Sequence, residues 1–264
     1  MKLIFNISFL AILCLFSSCT RDISFIQISD PQIGFQEDGV EYGRSLLEKT
    51  VSKINKLSPD FVVVTGDMVN RPGDSLQLAT YFEALSRIYD HIPVYHIPGN
   101  HDIKGSSQSS RQAYIERFGY ERFSFTQKGC TFIGINTCPI QSGDQEAVQE
   151  QFEWLTEELE KAGGSRHTII FTHCPIAVNT IDEEDGYMNF PKETRMKHIE
   201  LLKRHNVSLV LSGHLHNCAR CTAGGLELVT SGPSGKPLGT GVSGMTVVNI
   251  NKRISHKYIT LEQQ

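Results

Sequence analysis

Residues 61–70 read Phe-Val-Val-Val-Thr-Gly-Asp-Met-Val-Asn, and this stretch decides the fold. Phe61, Val62, Val63 and Val64 are apolar at every position, as a strand requires when both of its faces are covered. Gly66-Asp67 then ends the run in a glycine and a carboxylate. A central strand that stops in a polar loop belongs to an open α/β sheet, where sites assemble beyond the carboxyl ends of the strands.

The same alternation extends in both directions. Upstream, residues 23–28 form a strand that stops at Ser29-Asp30-Pro31, and residues 42–57 form a helix. Leu46, Leu47, Val51, Ile54 and Leu57 share one face of that helix, and Pro59 stops it. Downstream come a helix over 76–88, a strand over 94–97 and a shorter helix over 110–118. Strands over 123–125 and 131–136 are joined through Lys128-Gly129. A helix over 148–159 carries Trp154, read as a core anchor, and is followed by a strand over 168–171. A helix over 192–203 and a strand over 207–211 complete the alternation. Residues 226–230, 245–250 and 254–261 then form a β-only tail, compatible with part of a second sheet packed on the first.

The 264 residues suffice for one large α/β domain, and the formal charge of −4 has no long run of either sign. Without a basic stripe, a nucleic-acid partner is not expected. The first residues depart from this pattern. Lys2 precedes an apolar run over 7–16, too short for a permanent membrane helix and read as a secretory signal peptide. Ser17 and Ser18 stand before Cys19, which resembles a bacterial lipoprotein cleavage site. The expected organisation is a leader over 1–18, a tether over 19–22 and one domain over 23–264. An acyl group on Cys19 would anchor an exported, monomeric protein in the cell envelope, at the outer membrane or periplasmic face. Cys130, Cys138, Cys174, Cys218 and Cys221 remain, an odd number. Cys218-Ala219-Arg220-Cys221 is compatible with a local disulfide or half a zinc site, but no second C-x-x-C accompanies it and free thiols are the simpler reading.

Five strand ends carry donor side chains: Ser29-Asp30-Pro31-Gln32, Gly66-Asp67, Gly99-Asn100-His101-Asp102, Thr172-His173-Cys174-Pro175 and Gly213-His214-Leu215-His216. Oxygen and nitrogen donors without a required thiolate suit Mn, Fe, Mg or Zn in a hydrolytic centre better than a structural zinc site. Each motif alone is common as a turn or a satisfied polar residue. Their order and completeness give them weight.

The series resembles the calcineurin-like metallophosphoesterase family, with its D-x-H, G-D, G-N-H-D/E, lone His and G-H-x-H blocks. Ser29 to Gln32, Asp185 to Lys192 and Gly213 to Asn217 are most similar to a subgroup related to a eukaryotic protein serine/threonine phosphatase. The resemblance implies a four-layer α/β/β/α sandwich with two mixed sheets. It also implies one divalent metal ion held by Asp30, Gln32, Asp67 and His216, and a second held by Asp67, Asn100, His173 and His214. Gln32 stands where most members have His, a neutral and weaker oxygen donor.

Two such ions, roughly 3.5–4 Å apart, would activate a shared water as hydroxide for attack on phosphorus. Against two carboxylates and one hydroxide they leave net positive charge for a phosphate ester. His101, next to a ligand, is the expected general acid. Asp102 is expected either to orient His101 or to cap the following helix. Arg71, Tyr187 and Asn189 are candidates for substrate contact, with a surface Arg and a lid-packing Tyr as the plainer readings. The expected substrates are phosphate monoesters, small or on protein, with phosphodiesters or nucleotides as the alternative and a non-catalytic metal-binding lipoprotein as the rival of another class. A metallo-β-lactamase site, with its H-x-H-x-D-H pattern, is less expected, because the chain after His216 reads Asn217-Cys218.

Overall fold

The computed structural model describes residues 22–262; the leader, Cys19 and most of the tether lie outside the described residues. Along the chain the order is β1 (Ile23–Ile28), α1 (Gly39–Leu57), β2 (Phe61–Thr65), α2 (Ser75–Leu85), β3 (Val94–Ile97), α3 (Gln108–Phe118), β4 (Phe123–Gln127) and β5 (Cys130–Gly134). It continues with α4 (Cys138–Ser142), α5 (Gln145–Lys161), β6 (His167–Phe171), α6 (Lys192–Arg204), β7 (Leu209–Ser212), β8 (Ala219–Ala223), β9 (Leu226–Thr230), β10 (Gly244–Ile250) and β11 (Ile254–Thr260).

Two mixed sheets result. The first runs β11-β10-β1-β2-β3, the second β4-β5-β6-β7-β9-β8. In the first, β1, β2 and β3 are parallel, and β10 pairs antiparallel with β1. In the second, β5, β6, β7 and β9 are parallel, with antiparallel β4 and β8 at the edges.

The period of two along each strand sorts side chains between two cores. On β1 and β2, Ile26, Ile28, Val62 and Val64 face Leu47, Val51 and Ile54 of α1 and Tyr81 of α2. Phe25, Phe61 and Val63 point the other way, toward Phe132, Ile169 and Phe171 of the second sheet. The outer face of that sheet meets Leu155 and Leu159 of α5 and Ile199 and Leu202 of α6. The layers are therefore helix, sheet, sheet, helix. Aromatic packing closes the middle: Phe25 stacks on Phe61 at 4.9 Å, and Phe132 meets both edge-on.

Helix starts follow side-chain capping. Asp74 accepts from the N–H groups of Leu76 and Gln77, Ser107 from Ser110, and Asp144 from Ala147. Three expectations are corrected. The β-rich tail is not part of one sheet: β8 and β9 extend the second sheet, whereas β10 and β11 return to the first. Trp154 is only partly buried at the outer margin of α5, with the Arg122 guanidinium 4.8 Å above its ring. Asp102 does not cap α3, whose cap is Ser107.

All five described cysteines are free, which answers the Cys218–Cys221 question in favour of thiols. No helix among the described residues is long and apolar enough to cross a membrane.

Phe25 is fully buried between the sheets. Phe25→Ala is expected to lower unfolding free energy by roughly 3–5 kcal/mol in denaturant titration, with no change in metal content of the folded fraction.

Candidate metal centre

Parallel strands of both sheets end at one edge of the sandwich, and their loops meet there. Gln27, at the end of β1, spans the sheets by donating to Ser212 O of β7 at 2.8 Å and to Thr65 Oγ1 at 3.0 Å. Beyond this tie, the backbone N–H of Asp30 donates to Gly66 O, and that of Gln32 donates to Asp67 O. The N–H of His214, on the far sheet, donates to the Asp30 carboxylate at 3.0 Å. Ser29 Oγ also donates to that carboxylate.

The loops converge through unusual backbone conformations. Asp30, Gln32, Asp67, His214 and His216 all have positive φ, between 36° and 72°. Non-glycine residues held in this region cost of order 1–3 kcal/mol each. Neighbouring glycines permit the close approach. A Cβ on Gly99 would stand 2.2 Å from Asp67 Oδ1 and 2.5 Å from the Asp67 backbone nitrogen. One on Gly213 would stand 1.7 Å from Ser29 Oγ.

Asp67, His173 and His214 offer donor atoms that all lie within 4.8 Å of one another, and all three residues are buried. His173 Nε2 is 3.4 Å from Asp67 Oδ2, 3.0 Å from Asn100 Oδ1 and 3.2 Å from His214 Nδ1. Beside this group, His216 Nε2 is 3.7 Å from Asp30 Oδ1. Backbone carbonyls fix which ring nitrogen carries hydrogen, because a carbonyl only accepts. His173 Nδ1 donates to Thr65 O, His216 Nδ1 to Lys236 O and His214 Nε2 to Tyr187 O. Each ring thereby keeps its other nitrogen toward the cleft, the usual arrangement of a metal-ligating imidazole.

The charges are strongly coupled. Burial raises the Asp30 pKa, against the opposing pull of His173 and His216. Burial also works against charge on Asp67, yet the charge and hydrogen bond of His173, helped by His101, hold it at about 2. For His173, desolvation is outweighed by Asp67 and Asp30, and its pKa rises to about 9. Burial, then the His173 charge, brings His214 down to about 4. Carboxylates that hold a proton on His173 this firmly create the negative potential that collects a cation. The donor set fits a metal pair in a second respect: Gln32 Oε1 is buried with no hydrogen-bond partner among the described residues, while its Nε2 donates to Asn70 Oδ1. A buried amide oxygen left unpartnered is costly unless a ligand satisfies it.

His101 lies half-buried at the cleft. Its backbone N–H donates to Asp67 Oδ1 at 2.8 Å, and its Nδ1 donates to Asn70 O at 2.8 Å. Asp102 does not orient it. The Asp102 carboxylate accepts instead from the N–H groups of Met68, Val69 and Gly99, tying together the two loops that carry Asp67 and Asn100. Burial, then the Asp67 charge, raises its pKa to about 7.

Tyr187 is exposed over the cleft, its ring 4.9 Å from that of His214. Asn189 does not face a substrate: its amide is consumed by Glu183, Glu184 and Gly186 inside its own loop. Arg71 is exposed, and among the described residues its backbone N–H, not its guanidinium, is engaged, with Gln77. Four contributors escaped sequence reasoning: Asn70 and Lys236, which act through main-chain carbonyls, Phe35, whose ring lies 4.9 Å from His216, and Gln141, beside His214. A carbonyl acceptor leaves no trace in residue type, and Phe35 and Gln141 sit outside every donor motif.

The family profile "Calcineurin-like phosphoesterase" matches residues 23–218. The chain is 32% identical over 262 residues to a zebrafish (Danio rerio) protein named Serine/threonine-protein phosphatase CPPED1, covering 90% of this chain and 85% of that one. Among solved structures, a dimetal phosphatase from Danio rerio superposes with a TM-score of 0.67 at 16% identity, covering 90% of this chain and 96% of that one. A purple acid phosphatase from yellow lupin (Lupinus luteus) superposes at 0.71 and 15% identity, covering 92% of this chain and 52% of that one. These two superpositions establish a shared fold.

Gly99→Ala is expected to displace Asp67, because the new methyl meets backbone as well as carboxylate. Elemental analysis of the purified variant should find less than half the metal of the parent chain.

Proposed function

The chain belongs to the calcineurin-like phosphoesterase family and is a hydrolase, and from that premise we propose that it cleaves phosphate monoesters at a dinuclear divalent metal centre. Asp30, Gln32, Asp67 and His216 would hold one ion, and Asp67, Asn100, His173 and His214 the other. The observation that carries this reading is the convergence of Asp67, His173 and His214 donor atoms within 4.8 Å, with the Asn100 amide oxygen beside them. Bound divalent ions would supply Lewis-acid polarisation of the phosphoryl group and make a nucleophile available near neutral pH.

The chain's own residues account for the remainder. Only Asp30 and Asp67 among the seven donor residues are carboxylates, the others being neutral amides and imidazoles. The occupied centre therefore keeps surplus positive charge, which favours a phosphate ester and the charge that grows on its oxygens. His101 is the proposed general acid. With Nδ1–H committed to the Asn70 carbonyl, its proton for the leaving oxygen would be carried at Nε2. Asp67 stations that ring by accepting from the His101 backbone. Tyr187, exposed above His214, is placed to flank the leaving group. The naming of the zebrafish relative favours a phosphoseryl or phosphothreonyl ester as substrate. We further propose that the protein is exported and tethered through an acylated Cys19, on the strength of its apolar leader and the small residues before that cysteine.

Chelation followed by gel filtration is expected to abolish release of phosphate from a chromogenic monoester, and Mn²⁺ to restore it. His101→Ala should lower kcat by roughly 10²–10⁴. It should retain its metal, because the bond to Asp67 comes from the backbone. If chelated and metal-replete protein hydrolyse a broad panel of esters equally poorly, the proposal fails.

A further inference from the structure

The loop over residues 181–190 makes contacts that substrate binding does not explain. Arg195 of α6, fully buried, donates to the carbonyls of Ile181, Glu183 and Phe190 and reaches Asp185. Asn189 ties the same loop from within. An exposed loop fastened this heavily is built to hold something in place. At its apex stands Tyr187, whose hydrogen bonds and ring contact among the described residues all go to two neighbouring side chains of the metal cleft. Its hydroxyl accepts from Asn100 Nδ2 at 2.9 Å, its carbonyl accepts from His214 Nε2 at 3.1 Å, and its ring lies against the His214 ring.

We infer that Tyr187 is a positioning residue that holds Asn100 and His214 in the orientation in which both offer a lone pair to the same cation. This rests on the ligand assignment proposed above. The carbonyl contact fixes His214 as the Nε2–H tautomer and leaves Nδ1 toward His173 and the cleft. The hydroxyl contact fixes the Asn100 side-chain torsion. With Nδ2 engaged by Tyr187, Oδ1 is directed to the cleft, 3.0 Å from His173 Nε2. A hydrogen bond donated by the amide nitrogen also draws electron density toward the oxygen, which makes a weak neutral donor stronger. Asn100 has no other side-chain bond among the described residues that would do this. The effect is confined to one of the two ions, because no contact of Tyr187 reaches Asp30, Gln32 or His216 among the described residues.

The full chain, stripped of metal and titrated with Mn²⁺ in a calorimeter, tests this directly. The parent is expected to bind two ions. Tyr187→Phe, which removes one oxygen from an exposed residue and keeps the ring and carbonyl, should weaken one site about 10-fold or more and leave the other unchanged. The metal-free melting temperature should not move. Asn100→Ala should lose that same site outright. If Asn100→Ala loses a site while Tyr187→Phe titrates like the parent, the positioning role is wrong and the ligand assignment stands. Equal weakening of both sites in Tyr187→Phe also overturns the positioning role, since it would signify general loosening. If Asn100→Ala still binds two ions with parental affinity, the ligand assignment fails and the positioning role fails with it.

Discussion

The carboxylate of Asp67 is the group about which the functional end of the molecule is arranged. One oxygen accepts from the His101 backbone, the other faces His173, and the Gly99 backbone presses against it. Its own carbonyl receives the N–H of Gln32. Buried charge of this kind is tolerated only when compensated. That compensation comes from three directions in sequence, and so Asp67 fixes the relative positions of loops from both sheets. The glycines before Asp67, Asn100 and His214 are consequences of this crowding, since each stands where a methyl group would collide with a neighbouring loop.

The cost of such a site is spread over the whole fold. Five donor residues in left-handed backbone conformation and a set of desolvated polar groups are each unfavourable by themselves. They persist because three apolar cores hold the strand ends rigidly. The inter-sheet aromatic cluster lies beneath the donors, and Gln27 joins the sheets at the level where the cluster gives way to polar side chains. Rigidity there matters because each imidazole presents a single lone pair to the cleft, and a small rotation removes it from reach.

Much of this was legible in the sequence. Strands with apolar side chains at consecutive positions, such as β2, were recognisable because burial on both faces leaves no room for a polar residue. The donor motifs were recognisable because they interrupt those strands at the same end every time. What was missed has physical reasons. β8, Ala219–Ala223, buries only small side chains, so its alternation carries no hydrophobic signal. α4 is a five-residue turn of helix with Pro139 as its second residue, too short for a periodic pattern. The assignment of β10 and β11 to the first sheet depends on long-range pairing with β1, which local periodicity does not encode. Asp102 was given the wrong partner because adjacent residues on a turn project apart: His101 turns toward Asn70, and Asp102 turns inward to three amides. Asn189 looked available for substrate only because the internal closure of its loop is invisible before folding.

Asp30, Asp67 and Asn100 extend from the first sheet, and His173, His214 and His216 from the second. An ion shared among them, as proposed, would rivet the two halves of the sandwich, and its hold would strengthen with the logarithm of free metal concentration. The resistance of the protein to unfolding would in this way be tied to its surroundings: under the proposed assignment, a chain starved of cations would be inactive and also more easily opened and degraded.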